Sequence, residues 1–325
     1  MTGFVDRHRS DFNYNNSGLL GSFGDILWRD HAGDNVLWLM GNDTPFAVAA
    51  LPFVTPDWHF KAAADFNEIG FGNADILWQN DNGALAIWQV DELEVTAIRA
   101  LPNPGPTWHV VGDNDFSGGE RDNILFQNDN GALAIWADIN PATGTVGAML
   151  AGTQNPGPTW HVVGTGDTSG TFNSPAGILW QNNNGALVMW EDATFGPGTF
   201  TFNSVAALPS VDASWHVKGM ADVSGDERAD IVFQHDSGAV VVWLMGGTTV
   251  ATTQLVNINP GPAWHIVGLR DMNADGKTDI LFQNDNGAAA IWEDYLSLGV
   301  GSATFTRVLA ITPNPNPNGH VWDLL

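Results

Sequence analysis

The chain has 325 residues, with 36 acidic against 11 basic side chains, a formal charge of −25, 15 Trp and no Cys. Such a surface repels phosphate backbones and anionic headgroups, so nucleic-acid binding and direct membrane insertion are set aside, while divalent cations and neutral ligands suit it better. The absence of cysteine rules out a disulfide framework and thiol chemistry, and fits any compartment.

At the N-terminus, Met1-Thr-Gly-Phe-Val-Asp-Arg-His-Arg carries no apolar core of the kind found in a signal peptide. From near residue 11 onward the chain is a succession of six related units of about fifty residues. They start near 11, 58, 108, 160, 215 and 264 and form one domain over 1–325. The first contains the strand Asp25-Ile-Leu-Trp28 and a divergent phrase from Arg29 to Trp38. The second opens on Trp58-His59, continues through Asp75-Ile-Leu-Trp78, and reaches Gln79-Asn-Asp-Asn-Gly-Ala-Leu-Ala-Ile-Trp88. That last phrase returns unchanged from Gln127 to Trp136 in the third unit, and as near-copies from Gln181, Gln234 and Gln283. A second phrase, Asn103-Pro-Gly-Pro-Thr-Trp-His-Val-Val-Gly112, recurs identically from Asn155 to Gly164, with variants at Trp215-His216 and Trp264-His265. The chain ends on a degenerate version, Asn318-Gly-His-Val-Trp-Asp-Leu-Leu325.

Each unit reads as four short strands, A to D. Trp-His-Val-Val is strand A, and a Gly- and Asp-rich loop follows it. Asp-Ile-Leu-Trp-Gln is strand B. Asn-Asp-Asn-Gly is a hairpin turn, because Asn and Gly tolerate the positive φ that tight turns require. Ala-Leu-Ala-Ile-Trp is strand C, a variable segment is strand D, and Pro-Gly-Pro breaks the sheet before the next unit. Strands B and C are apolar on both faces, as sheets stacked on both sides must be. The longest apolar run, Ala239 to Met245, falls short of the ~18 residues of a membrane span and is such a strand. The expectation is an all-β, six-bladed β-propeller of four-stranded antiparallel blades. The C-terminal strand closes the ring by joining the first blade; the alternative uses Phe4 to Asp11 as the first strand A.

The loop Asp271-Met-Asn-Ala-Asp-Gly-Lys-Thr-Asp279 resembles the Asp-x-Asn-x-Asp-Gly-x-x-Asp calcium loop of bacterial VCBS/FG-GAP-type repeats, the propeller repeats related to the integrin α-subunit head. The resemblance implies Ca²⁺ as a structural cofactor, held by Asp271, Asn273, Asp275, Asp279 and the Lys277 carbonyl. Hard oxygen ligands with a Gly for the sharp turn are what this ion requires. The preceding loop supplies Asp222, Ser224, Asp226 and Asp230, but Glu227 stands where the family has Gly. The other loops depart further in length or lack acids. The family serves adhesion and recognition, so the resemblance leaves the biological role open.

No nucleophile elbow, zincin helix or Walker loop occurs, and five of the nine histidines sit in Trp-His pairs repeated unit by unit. Repetition argues for packing or multivalent binding rather than for a catalytic centre, and the chain reads as a non-enzymatic protein. The candidate ligand residues are Trp58/His59, Trp108/His109, Trp160/His161, Trp215/His216 and Trp264/His265, bordered by the turns Asp81/Asn82, Asp129/Asn130 and Asp285/Asn286. Asn and Asp offer partners to sugar hydroxyls, and Trp offers an apolar plate. The reading is a lectin-like module that binds glycans multivalently, extracellular or at a cell surface. A protein–protein adhesion or scaffold module is the alternative. Exposed indoles would favour sugar, and buried ones a protein contact or a scaffold.

Overall fold

The computed structural model describes residues 12, 24–41, 44–66, 73–118, 121–171, 174–311 and 322–324. Among them there is no helix, and all regular structure is β. Unit one holds β1 (Ile26–Asp30), β2 (Asn35–Gly41) and β3 (Thr44–Leu51). Unit two holds β4 (Trp58–Ala64), β5 (Asp75–Asn80), β6 (Leu85–Asp91) and β7 (Glu94–Leu101). Unit three holds β8 (Trp108–Asn114), β9 (Asn123–Asn128), β10 (Leu133–Asn140) and β11 (Thr145–Gly152). Unit four holds β12 (Trp160–Gly166), β13 (Gly177–Asn182), β14 (Leu187–Gly196) and β15 (Thr199–Leu208). Unit five holds β16 (Trp215–Ala221), β17 (Asp230–His235), β18 (Val240–Met245) and β19 (Val250–Val256). Unit six holds β20 (Trp264–Arg270), β21 (Asp279–Asn284), β22 (Ala289–Ser297) and β23 (Ser302–Ile311), and the chain ends in β24 (Trp322–Leu324).

Within every unit the strands pair antiparallel in sequence order, and β24 supplies the missing first strand of unit one by pairing Trp28 with Leu324 and Asp30 with Trp322. The alternative first strand, Phe4 to Asp11, lies outside the described residues. Two pairs of units merge into eight-stranded sheets through short parallel contacts, β11 with β15 and β19 with β23. Both contacts are made by the early residues of the ten-residue strands β15 and β23, and each is extended by one amide beyond the partner strand. The amide of Thr153, just after β11, donates to Phe200 O, and that of Asn257, just after β19, donates to Ala303 O. After β3 and β7 the corresponding residues are Pro52 and Pro102, which have no N–H to give.

Six buried apolar clusters each join one unit to the next. Leu77, Leu85 and Ile87 of unit two meet Ile124, Phe126 and Trp136 of unit three. The cycle closes where Ile26, Trp28 and Trp38 of unit one meet Met272, Leu281 and Ile291 of unit six. Successive side chains of strand B point to opposite faces, and both faces are buried, which is why Ile, Leu and Trp stand side by side. Each unit stacks an aromatic of strand B on the Trp of strand C, from Trp28–Trp38 at 5.3 Å to Phe282–Trp292 at 4.4 Å between ring centroids. Burying an indole of this kind contributes on the order of 1.5–3 kcal/mol.

Polar bonds also cross each boundary. Gln79, at the end of β5, donates through Nε2 to Trp108 O at 2.7 Å and accepts at Oε1 from the Val110 N–H at 2.9 Å, so one buried side chain clasps the next unit's first strand. Gln127 does the same to Trp160 and Val162, and Gln234 to Trp264 and Ile266. Gln283 clasps Trp322 and Leu324, which ties the C-terminal strand into the ring. Unit one uses Arg29 instead, whose guanidinium donates to the carbonyls of Trp58, Val54 and Thr55. At the opposite end, loop backbones are chained in the same sense: Thr278 N to Asp222 O at 2.7 Å, and Gly24 N to Asp271 O at 2.8 Å.

Candidate functional site

Antiparallel order places the B–C turns and the D–A connections at one end of the units, and the A–B loops at the other. At the first end, the Asn80–Ala84 turn is closed by its own backbone, and Asn82 Oδ1 accepts from the Ala84 N–H at 2.8 Å. Asn130 and Asn286 cap Ala132 and Ala288 in the same way. Gly83, at φ +86°, faces the carbonyl of Gly105, and any Cβ there would fall well inside contact distance. The Asn-Asp-Asn-Gly turn and the Pro-Gly-Pro connection are thus fitted to each other.

The side chains this end presents to solvent are histidines and turn acids. His59 Nε2 lies 2.7 Å from Asp81 Oδ1, and the same distance separates His109 from Asp129, His216 from Asp236 and His265 from Asp285. His161 meets Asn183 Oδ1 at 2.8 Å. An ionised carboxylate only accepts, so in the four aspartate pairs Nε2 carries the proton and donates. Unit one has the pair inverted: the turn supplies His31, and the closing strand supplies Asp323, at 3.0 Å. All six pairs are exposed; His59 and Asp81 are 51% and 70% accessible. Three of the partners, Asp236, Asn183 and the swapped His31, escape a reading that looks only for the repeated Asp-Asn. The exchange of the two residue types, His31 at the turn position and Asp323 at the strand position of the repeats, was the available signal.

The indoles behave differently from their histidines. Trp58, Trp108, Trp160, Trp215 and Trp264 are half-buried, each packed against the cluster between its own unit and the one before. Part of each indole is thus taken up by inter-unit packing, while Trp108 also lines a groove. Between units two and three, a groove is lined by His59, Lys61, Asn80, Asp81, Trp108 and His109.

At the other end, the Asp271–Asp279 loop winds around its first carboxylate, which accepts from the N–H groups of Asn273, Asp275 and Gly276. Asp275 Oδ1 accepts from Lys277 N at 2.8 Å, and Asp279 Oδ2 from Met272 N at 2.8 Å. Asp279 Oδ1 is buried without a hydrogen-bond partner. Burial, with Glu293, Asp271 and Asp275 adding repulsion, pushes the Asp279 carboxyl up to about 9. Burial also raises Asp271. An orphaned carboxylate oxygen facing further acids is a setting that fits a hard cation. Glu293, on β22, is a member of this acidic neighbourhood that the loop motif does not contain.

The Asp222–Asp230 loop is arranged otherwise. Asp222 accepts from Gly225, Asp226 and Glu227, while Asp230 accepts from Ser224 N with one oxygen and from Met245 N with the other. Both Asp230 oxygens are engaged, and burial raises this carboxyl to about 7. Glu227 adopts φ +69° where the loop of unit six has Gly276, a conformation that costs a non-glycine residue energy. Neither loop meets the geometry of three clustered ligands, and no such cluster of His, Cys, Asp or Glu occurs among the described residues.

The fold defines a class, an all-β protein of repeated four-stranded antiparallel units. The family model of the FG-GAP-like repeat matches residues 222–282, which run from the first candidate loop through the second and into β21. The crystal structure of human WBSCR16 is similar over 91% of this chain and 85% of that one, at 12% sequence identity and a TM-score of 0.42. Among curated proteins none matches this sequence.

Proposed function

We propose that the protein is a non-enzymatic recognition module, a six-bladed β-propeller that presents its turn end to a saccharide outside the cell or at its surface. The observation that carries this reading is the exposed His–Asp or His–Asn pair, repeated in all six units and kept in inverted form by His31 and Asp323. A reaction centre is built once, because a substrate has no sixfold symmetry. A ring of equivalent polar pairs suits weak sites whose tethering raises avidity by ~10²–10⁴. A second reading has its own support: the half-buried indoles offer little stacking surface, which favours a protein partner on the same end.

Calcium belongs to this proposal at the sixth unit. Asp271, Asn273, Asp275 and Asp279, with the Lys277 carbonyl, are the residues that would hold it, and the orphaned Asp279 Oδ1 supports the assignment. Bound there, Ca²⁺ would neutralise carboxylates that otherwise repel one another. At Asp222, Ser224, Asp226 and Asp230 the fit is poorer, because the backbone already uses both Asp230 oxygens.

A glycan array probed with folded protein, once with calcium and once with EDTA, tests the reading. Specific binding is the expected result. A blank array from a calcium-loaded sample overturns the saccharide assignment for the sugars displayed and moves the question to a protein partner.

A further inference from the structure

The chain has only three lysines, Lys61, Lys218 and Lys277. Two of them occupy the same place in different units. Strand A of every complete unit carries a bulge: pairing steps from Phe60–Trp78 to Ala62–Leu77 and leaves residue 61 without a cross-strand partner. The bulged residue is Lys61 in unit two, Val111 in three, Val163 in four, Lys218 in five and Val267 in six. A bulge re-aims its side chain out of the regular alternation. Lys61 thereby enters the groove between units two and three, beside His59, Asp81 and His109.

Both ammonium groups are half-buried, and among the described residues neither has a hydrogen-bond acceptor or an ion pair. Burial alone lowers the pKa of each, with no carboxylate acting against it. In a chain of 36 acids neither lysine forms an ion pair, although Asp81 lines the same groove as Lys61. A partly desolvated ammonium without an acceptor favours an anion from outside. The surrounding groups, Asn80, Asp81 and the two histidines, offer hydrogen bonds to hydroxyls rather than further positive charge.

We infer that the groove at Lys61 is a carboxylate-binding subsite, with Lys218 offering a second ammonium at the same bulge of unit five, and that the ligand class is an acidic, uronate-bearing saccharide. This deepens the saccharide reading and rests on it.

The test is calorimetric titration with a tri-galacturonate and with its neutral counterpart, tri-galactose, on wild type and on Lys61→Val/Lys218→Val. Valine is the residue the other bulges already carry, so the variant keeps the fold, and its melting temperature checks this. The wild type is expected to bind the uronate about tenfold or more tightly than the neutral oligomer, as a charge-assisted bond allows. The double variant loses that preference and keeps its affinity for the neutral oligomer. Equal affinity of the wild type for both overturns the carboxylate subsite and leaves the saccharide reading standing. Polyglutamate bound as tightly as the uronate overturns the saccharide class, and no binding of either oligomer overturns the uronate subsite and leaves the saccharide reading to the glycan array.

Discussion

Gly83, Gly131 and Gly238 close the B–C turns at φ +86°, +92° and +89°, and each faces the carbonyl of a glycine in the neighbouring D–A connection. Gly105, the partner of Gly83, also has a positive φ, +96°, but open space where its Cβ would be. The two positions separate strain from collision. Gly105→Ala meets only the left-handed backbone, a cost of about 1 kcal/mol. Gly83→Ala adds a clash against backbone that cannot yield, and is expected to cost about 2–4 kcal/mol. Urea denaturation of the two variants measures this. Equal losses would show that the turn glycine answers to local φ and not to the approach of the connection.

At the level of the element, the glutamine that ends strand B holds neighbouring units together. Gln127 is buried and satisfies both Trp160 O and Val162 N. Gln127→Leu keeps the bulk but leaves both backbone groups without partners, and is expected to destabilise by about 1–3 kcal/mol. An unchanged denaturation midpoint would remove the clasp from the account of stability. The A–B loops lead to a second expectation. If Ca²⁺ is held by the sixth unit, adding it at 100 times its Kd raises stability by about 2.7 kcal/mol. Asp279→Asn should abolish that gain, while Asp230→Asn, in the loop whose oxygens are already engaged, should retain it. Thermal melts with calcium and with EDTA distinguish the two variants; loss of the gain in Asp230→Asn alone would reverse the assignment.

On the scale of the whole molecule, three residues at the C-terminal end complete the cycle. Trp322, Asp323 and Leu324 pair with β1, accept and donate to Gln283, and place Asp323 against His31. Removing 321–325 would expose the edge of β1 and break the unit six to unit one boundary. An exposed edge is a template for pairing with another chain. The expected outcome is a melting temperature lower by several degrees together with concentration-dependent association in size-exclusion chromatography. A truncated chain that stays monomeric with wild-type stability would mean that the boundary is held by the buried cluster of Trp28, Trp38 and Leu281 alone.

Much of this was legible from residue order. The repeat phrases mark the strands and turns, because Asn-Gly tolerates positive φ, Pro ends a sheet, and strands apolar on both faces demand neighbours on both sides. The Asp271–Asp279 spacing marks a loop suited to a hard cation through local chemistry alone. Other features depend on partners far away in the chain. Gln79 reads as the first residue of a turn and becomes a clasp only when β8 lies beside it. Trp58 reads as a plate for a sugar ring, and only the fold shows it half-buried against the cluster between units one and two. The pairing of His31 with Asp323 spans 292 residues and exists only because the ends of the chain share one sheet. Local conformation is set by each residue's own sterics and its near neighbours, and so the sequence by itself determined the units. Which side chains face solvent is decided by what the other units cover, and so only the tertiary structure separated the exposed histidines from the half-buried Lys61 and indoles beside them.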